Sequence, residues 1–193
     1  MSNENCTYLG AKGYTIYKES LTIEEQILIR EELTVKANVP KNLGIKSEAF
    51  PIYRESKNKF YIPRYYGIDE YGYPNQVKIG MGEEINIKFN GELREFQKPV
   101  VQKYMESIDE KTGCGGGLID VYCGFGKTIL TLNIISKIKR KTLIIVHKSF
   151  LLNQWIERIE QFLPSARVGK IQGPYFDIEN KDIVIGMLQS LSM

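Results

Sequence analysis

Histidine, tryptophan and long apolar runs are scarce in this chain. The single histidine, His147, excludes a histidine-built zinc centre and cannot by itself sustain nucleophilic or metal catalysis. No Ser/His/Asp or paired-carboxylate arrangement stands out. Three cysteines, Cys6, Cys114 and Cys123, cannot all pair with one another and lack metal-ligand spacing, so a reducing compartment is the natural setting. No apolar stretch approaches the roughly 20 residues a membrane-spanning helix needs. The longest, at 143–146 and 183–185, are strand-sized, and no membrane partner is expected. The first residues, Met-Ser-Asn-Glu-Asn-Cys, lack a basic stretch followed by an apolar one, so no secretory leader is expected and the setting reads as intracellular. A strong charge of either sign is missing too. Residues 1–90 balance at 12 basic and 12 acidic residues, leaving 14 and 11 for residues 91–193 and a net charge of +3. Charge alone is too weak an argument for nucleic acid.

What is present divides the chain in two. The 193 residues suffice for one ordinary domain or two small ones. Residues 1–90 hold nine of the twelve tyrosines and short β-rich runs, Leu33-Thr-Val-Lys-Ala37, Phe50-Pro-Ile-Tyr53 and Lys59-Phe-Tyr-Ile-Pro-Arg-Tyr65. Turn signals separate them at Pro40-Lys-Asn-Leu-Gly44, Glu55-Ser-Lys-Asn58 and Tyr71-Gly-Tyr-Pro-Asn75. One helix is expected over 22–32, where Thr22 and Glu25 have capping-box spacing. This first part reads as a small α+β domain with a possible nucleic-acid contact. Residues 91–193 alternate differently. A helical pattern over 93–108, broken by Pro99, precedes the glycine-rich link Thr112-Gly-Cys-Gly-Gly-Gly117. Then follow an expected strand at 118–121, a glycine loop and a helix over 127–139. A strand at 142–146, a helix over 149–162 and strands at 167–172 and 182–187 complete it. Strand–helix alternation is the pattern of an α/β parallel sheet covered by helices.

The strongest motif is Val121-Tyr-Cys-Gly-Phe-Gly-Lys-Thr128. A Walker A loop reads Gly-x4-Gly-Lys-Ser/Thr between a strand and a helix. Gly126, Lys127 and Thr128 fit its second half, whereas Val121 stands where glycine is usual. Glycines at 124 and 126 let backbone N–H groups converge on phosphate oxygens, and the helix beginning near Lys127 adds the positive end of its dipole. Lys127 is the candidate phosphate-stabilising residue, and Thr128 the candidate Mg²⁺ contact through bound ATP. Cys123 reads as a small side chain beneath the loop rather than a redox thiol. A plain glycine turn with a solvated lysine is the competing account, but strand, glycines, Lys-Thr and helix all occur in register.

This loop resembles motif I of superfamily 2 helicases, where Cys-Gly often precedes Gly-Lys-Thr. Leu93-Arg94-Glu-Phe-Gln97 is similar to the Leu-Arg-x-x-Gln element ahead of that motif, whose glutamine reads adenine. An amide donates and accepts at once, which matches the adenine N6/N7 edge. The resemblance therefore implies an ATP site of Arg94, Gln97, Cys123, Gly124, Phe125, Gly126, Lys127 and Thr128, with ATP and Mg²⁺ as cofactors. Val146-His147-Lys148-Ser149 through Trp155 resembles motif Ia of the XPB-type branch, and Ile185-Gly-Met-Leu-Gln189-Ser190-Leu191 a later segment of the same lobe. Both face the nucleic-acid backbone in that superfamily, which makes His147, Lys148, Ser149, Gln189 and Ser190 candidate contacts to DNA or RNA, with DNA favoured. Ser149 reads as the cap of its helix, and Trp155 as core.

The group most resembled comprises helicases of large nucleocytoplasmic DNA viruses, related to the poxvirus transcript-release helicase. If the chain is viral, host cytoplasm or virion is its expected location. The implied fold is an α/β, P-loop RecA-like parallel-sheet lobe, incomplete, behind a small α+β N-terminal domain. The resemblance is specific over 93–193 and vaguer over 30–67. The family's acidic motif II, Asp-Glu-x-His or similar, does not occur; Asp69-Glu70 and Asp109-Glu110 precede the loop. A second RecA-like lobe with its arginine finger is absent as well. The expectation is ATP binding with little hydrolysis by these residues alone, within a protein that is a helicase when complete. A P-loop kinase or NTPase of another branch, and a non-catalytic nucleic-acid-binding module, are the competing readings. The basic run Lys137, Lys139, Arg140, Lys141 reads as a solvated helix end.

Overall fold

The computed structural model describes residues 7–36, 48–109, 113 and 115–192, which fall into two compact units, Met1–Gly80 and Met81–Met193.

In the first unit a hairpin of β1 (Thr7–Gly10) and β2 (Gly13–Tyr17) leads into α1 (Ile23–Glu32). The capping box at the start of α1 forms as expected. Thr22 Oγ1 accepts from the Glu25 N–H at 3.2 Å, and Glu25 Oε2 accepts from the Thr22 N–H at 2.7 Å. After it come β3 (Thr34–Lys36), β4 (Ala49–Pro51), β5 (Arg54–Glu55), β6 (Lys59–Ile62), α2 (Arg64–Tyr71) and β7 (Gln76–Val77). Strands β3 and β4 pair with each other; the rest form a sheet in the order β5-β6-β2-β1-β7, antiparallel except for β1 with β7. The run expected as strand over 59–65 stops at Ile62. Pro63 has no N–H to offer a ladder and starts a helix instead. Helix α2 can lie on β2 because its Gly67 has no side chain: a Cβ there would stand 2.3 Å from the Tyr14 ring. Tyr14, Ile16, Phe60 and Ile62 alternate onto that inner face and are fully buried. The turn expected at 40–44 lies outside the described residues.

In the second unit the expected helix over 93–108 starts late. A 3-10 turn at Glu95–Gln97 precedes α3 (Lys98–Glu106), with Pro99 in its first turn, where a missing N–H costs nothing. Then follow α4 (Lys127–Ile138), β8 (Thr142–Val146), α5 (Ser149–Phe162), β9 (Val168–Gln172), β10 (Tyr175–Phe176), β11 (Ile183–Met187) and α6 (Leu188–Leu191). The sheet runs β10-β9-β11-β8, with β11 parallel to both neighbours and buried along its whole length. Leu132 and Ile135 of α4 and Leu152 and Ile159 of α5 pack with Ile183 and Ile185 in one core. The fold class is thus α/β with a parallel sheet, as the alternation implied.

Two expectations are corrected. Residues 118–121 form no strand: among the described residues they enter no ladder, and Leu118 is 92% exposed. An apolar run becomes a strand only when an edge is there to pair with. Residues 81–90, read with the first part, belong to the second unit. Ile85 and Ile87 are buried in its core, and Phe89 stacks on Phe162 at 5.7 Å between ring centroids. Two cations of the basic run add surface pairs to this buried anchor. Arg140 pairs with Glu84 at 2.9 Å and Lys141 with Glu83 at 3.1 Å, and the Ile85 N–H donates to the Lys139 carbonyl. Lys137 and Lys139 are exposed, as a solvated helix end implies, while Arg140 and Lys141 find these partners.

Candidate nucleotide and nucleic-acid site

The loop before α4 turns on two glycines. Gly124 has φ +85° and Gly126 φ +91°, left-handed values that side chains other than glycine rarely adopt. Gly126 sits at the N-cap of α4, and its carbonyl accepts from the Leu130 N–H at 3.1 Å. The first N–H groups of a helix lack intrahelical partners, and the dipole favours an anion there. Lys127 opens the helix and folds back, its Nζ donating to the Tyr122 carbonyl at 2.8 Å. Nothing stands within 4 Å of where a Cβ of Gly124 would be, so the loop is open on that side. The free N–H groups of a helix start, a neighbouring ammonium and the Thr128 hydroxyl are groups whose chemistry fits a polyphosphate carrying Mg²⁺.

Gln97 is brought against this loop and is only 3% exposed. Its Nε2 donates to the Phe125 carbonyl at 2.7 Å, and its Oε1 accepts from the Arg94 N–H at 2.9 Å. One N–H of the amide and one lone pair remain for another partner. The close approach needs a bare Gly126, since a Cβ there would lie 2.5 Å from Gln97 Nε2. Arg94 itself is exposed, its guanidinium 5.9 Å from the Phe96 ring.

Two details went unread in the sequence. Cys123, expected beneath the loop, is exposed, and the buried place is taken by Phe125. Phe96 and Tyr122 meet the Phe125 ring edge-on at 4.9 and 5.2 Å, which pins the loop to the turn that carries Gln97. The spacing of Phe96 one residue before Gln97 was the available signal.

A second group gathers at the carboxyl end of the sheet. Register pairs Val146 with Met187, so His147 and Leu188 leave β8 and β11 side by side. Gln189 Nε2 donates to the His147 carbonyl at 3.1 Å, joining the two segments. Ser190 Oγ accepts from the Gly173 N–H at 2.7 Å. His147, Lys148 and Ser149 are exposed. Ser149 is not the cap it was expected to be. Lys148, in extended conformation, holds the N-cap and makes no side-chain cap bond, which leaves Ser149 as the first helical residue. Trp155 is half-buried against the core. In open α/β sheets ligands favour this carboxyl edge.

An α/β lobe whose glycine loop runs into a helix N-terminus, with a buried amide held against that loop, is a P-loop lobe. Residues 90–193 match the family described as Type III restriction enzyme, res subunit, and the chain belongs to that family, within the superfamily 2 helicases. Over its whole length the chain is 35% identical to L396 of Acanthamoeba polyphaga mimivirus, provisionally named an ATP-dependent RNA helicase, and spans 37% of that protein. It is 35% identical over 35% of its length to the transcript termination protein A18 of Yaba monkey tumor virus, spanning 15% of it. Among solved structures, the Sulfolobus solfataricus SWI2/SNF2 ATPase core in complex with dsDNA aligns over 56% of this chain and 24% of that one, at 27% identity and a TM-score of 0.42.

Proposed function

We propose that this chain is the ATP-binding part of a nucleic-acid-dependent ATPase of helicase type. The observation that carries the reading is Gln97 held against a loop whose two glycines are left-handed and whose lysine opens α4. Lys127, which now donates to the Tyr122 carbonyl, would turn to the phosphate oxygens of bound ATP, and Thr128 would offer its hydroxyl to the accompanying Mg²⁺, which would supply neutralising charge. Gln97, with Arg94 beside it, reads the adenine edge. His147, Lys148, Ser149, Gln189 and Ser190 meet a nucleic-acid backbone, DNA favoured. Hydrolysis needs a carboxylate to hold the metal and orient water, and positive charge on the transition state. The sequence holds no Asp-Glu-x-His motif, so these 193 residues bind ATP and turn it over poorly. The test is phosphate release from ATP with and without single- and double-stranded DNA or RNA. The expected result is a rate indistinguishable from that of Lys127→Ala under every condition. A Lys127-dependent rate stimulated by nucleic acid would mean that the chain supplies its own carboxylate, and the weak-turnover reading would fall.

A further inference from the structure

The first unit has a second sheet face, on which Thr15 is fully buried and Tyr8, Tyr17, Tyr61 and Lys59 are half-buried. Register places Arg54, Tyr61, Thr15, Tyr8 and Gln76 in one row across all five strands, and Lys59 beside Tyr17 in the adjoining row. Side chains alternate along strands, so these residues point away from buried Tyr14, Ile16, Phe60 and Ile62. Cations gather on the rings. Lys59 Nζ lies 4.5 Å from the Tyr17 ring centroid and 5.2 Å from that of Tyr8, Lys78 Nζ lies 4.1 Å from Tyr8, and Lys12 Nζ lies 4.9 Å from Tyr61. The positions in these two rows include no Asp or Glu. Among the described residues none of Lys12, Arg54, Lys59 and Lys78 makes an ion pair, whereas Lys18 and Arg30 share Glu55. Charge is therefore sorted within one small unit: paired at Glu55, unpaired where the tyrosines are.

We propose that this outer face, Tyr8, Tyr17 and Tyr61 with Lys12, Lys59 and Lys78, binds single-stranded nucleic acid. The rings stack unpaired bases, and the lysines move from the ring faces to the phosphates. The chemistry selects this partner. An acidic peptide would use the lysines and leave the rings idle, and a duplex keeps its bases inside. The row spans about 19 Å at roughly 4.8 Å per strand, enough to follow an extended strand over several nucleotides. The surface is independent of the nucleotide loop and needs no ATP.

Fluorescence anisotropy of labelled oligo(dT) and oligo(U) of about 12 nucleotides, a length within one small fold's usual site size, titrated with the full chain without nucleotide, tests this. Both arms are expected to bind, and any difference between them reports the 2′-hydroxyl and the thymine methyl together. Tyr61→Ala is expected to weaken binding roughly 5- to 160-fold, the range that loss of one base–aromatic stack gives. Tyr61→Phe keeps the ring and the affinity, which separates stacking from a folding defect. Lys78→Gln, at an exposed position, is expected to lower the salt slope by about 0.7. Binding unchanged in Tyr61→Ala and Lys78→Gln, no binding to either oligonucleotide, a duplex bound as tightly as single strands, or equal competition by polyglutamate would each overturn the proposal. None of these outcomes bears on the Lys127 test, so the two readings fail separately.

Discussion

Gly126 is constrained twice, by a φ of +91° and by Gln97 Nε2 standing 2.5 Å from the site of a Cβ. Gly126→Ala must both strain the loop, at about 1–2 kcal/mol for a left-handed residue, and push Gln97 out of place. Gly124 has a similar φ but open space, so Gly124→Ala carries the strain alone. The expected outcome in a titration with a fluorescent ATP analogue is a tenfold or greater loss for Gly126→Ala and a smaller one for Gly124→Ala. Equal losses would mean that the Gln97 contact does not matter. At this scale the sequence was partly legible. The tight turns at Gly124 and Gly126 and the helix that starts at Lys127 were legible because glycines followed by Lys-Thr and an apolar-periodic run have few local solutions. At 123 and 149 neither burial nor the cap position follows from residue type: Phe125 outcompetes Cys123 for the buried place, and Lys148 already adopts the extended backbone that an N-cap requires.

Among elements, the parallel strands were read best. Strands β8 and β11 lie within a residue of their expected bounds because continuous apolar runs between polar turns admit few alternatives, and helix α5 matches because its apolar residues recur at helical spacing. The hairpin of β1 and β2 escaped notice, since Thr7–Gly10 and Gly13–Tyr17 mix tyrosine, threonine and glycine without clean alternation, and its inner face is visible only against β6 and α2. The starts of β9 and β11 are tied by an ion pair. Asp182 accepts from Arg167 Nε at 3.0 Å, from Arg167 Nη2 at 2.7 Å and from the Arg167 N–H at 2.8 Å. These bonds, the Arg167 side chain foremost, hold the Asp182 carboxyl below its ordinary pKa. A depressed folded-state pKa means stability that is present above the unfolded value of about 3.9 and lost as pH falls through the lower folded one. Asp182→Asn is expected to cost about 1–2 kcal/mol at neutral pH, held to the low end because Arg167 is solvent-exposed. Thermal melts from pH 7 to below 4 should show the difference from the parent shrinking at the acid end. A pH-independent difference would assign the cost to packing instead.

For the whole molecule, the division at Gly80 has a direct consequence. Residues 81–193 carry the Glu83 and Glu84 pairs together with buried Ile85 and Ile87, whereas a piece starting at 91 loses them and opens the core beside Leu132 and Leu163. Large apolar losses from a core cost several kcal/mol. The piece 81–193 is expected to be soluble with a cooperative melt, and 91–193 to be destabilised or aggregated; equal melting of the two would refute the assignment of 81–90 to this unit. The sequence suggested 90 because the shift in texture from tyrosine-rich to strand–helix alternation falls there. Burial of Ile85 and Ile87 is a tertiary fact that local pattern does not carry.

The central claim is that the loop at 121–128 binds a nucleoside triphosphate. Its most direct test is equilibrium binding of Mg²⁺-ATP to the chain and to Lys127→Ala, with both melts recorded. The account predicts saturable binding that weakens at least tenfold in the variant at unchanged fold, since a hydrogen bond to a charged group contributes about 1.5–3 kcal/mol. Binding of equal affinity in the two proteins, or none in either, would contradict it.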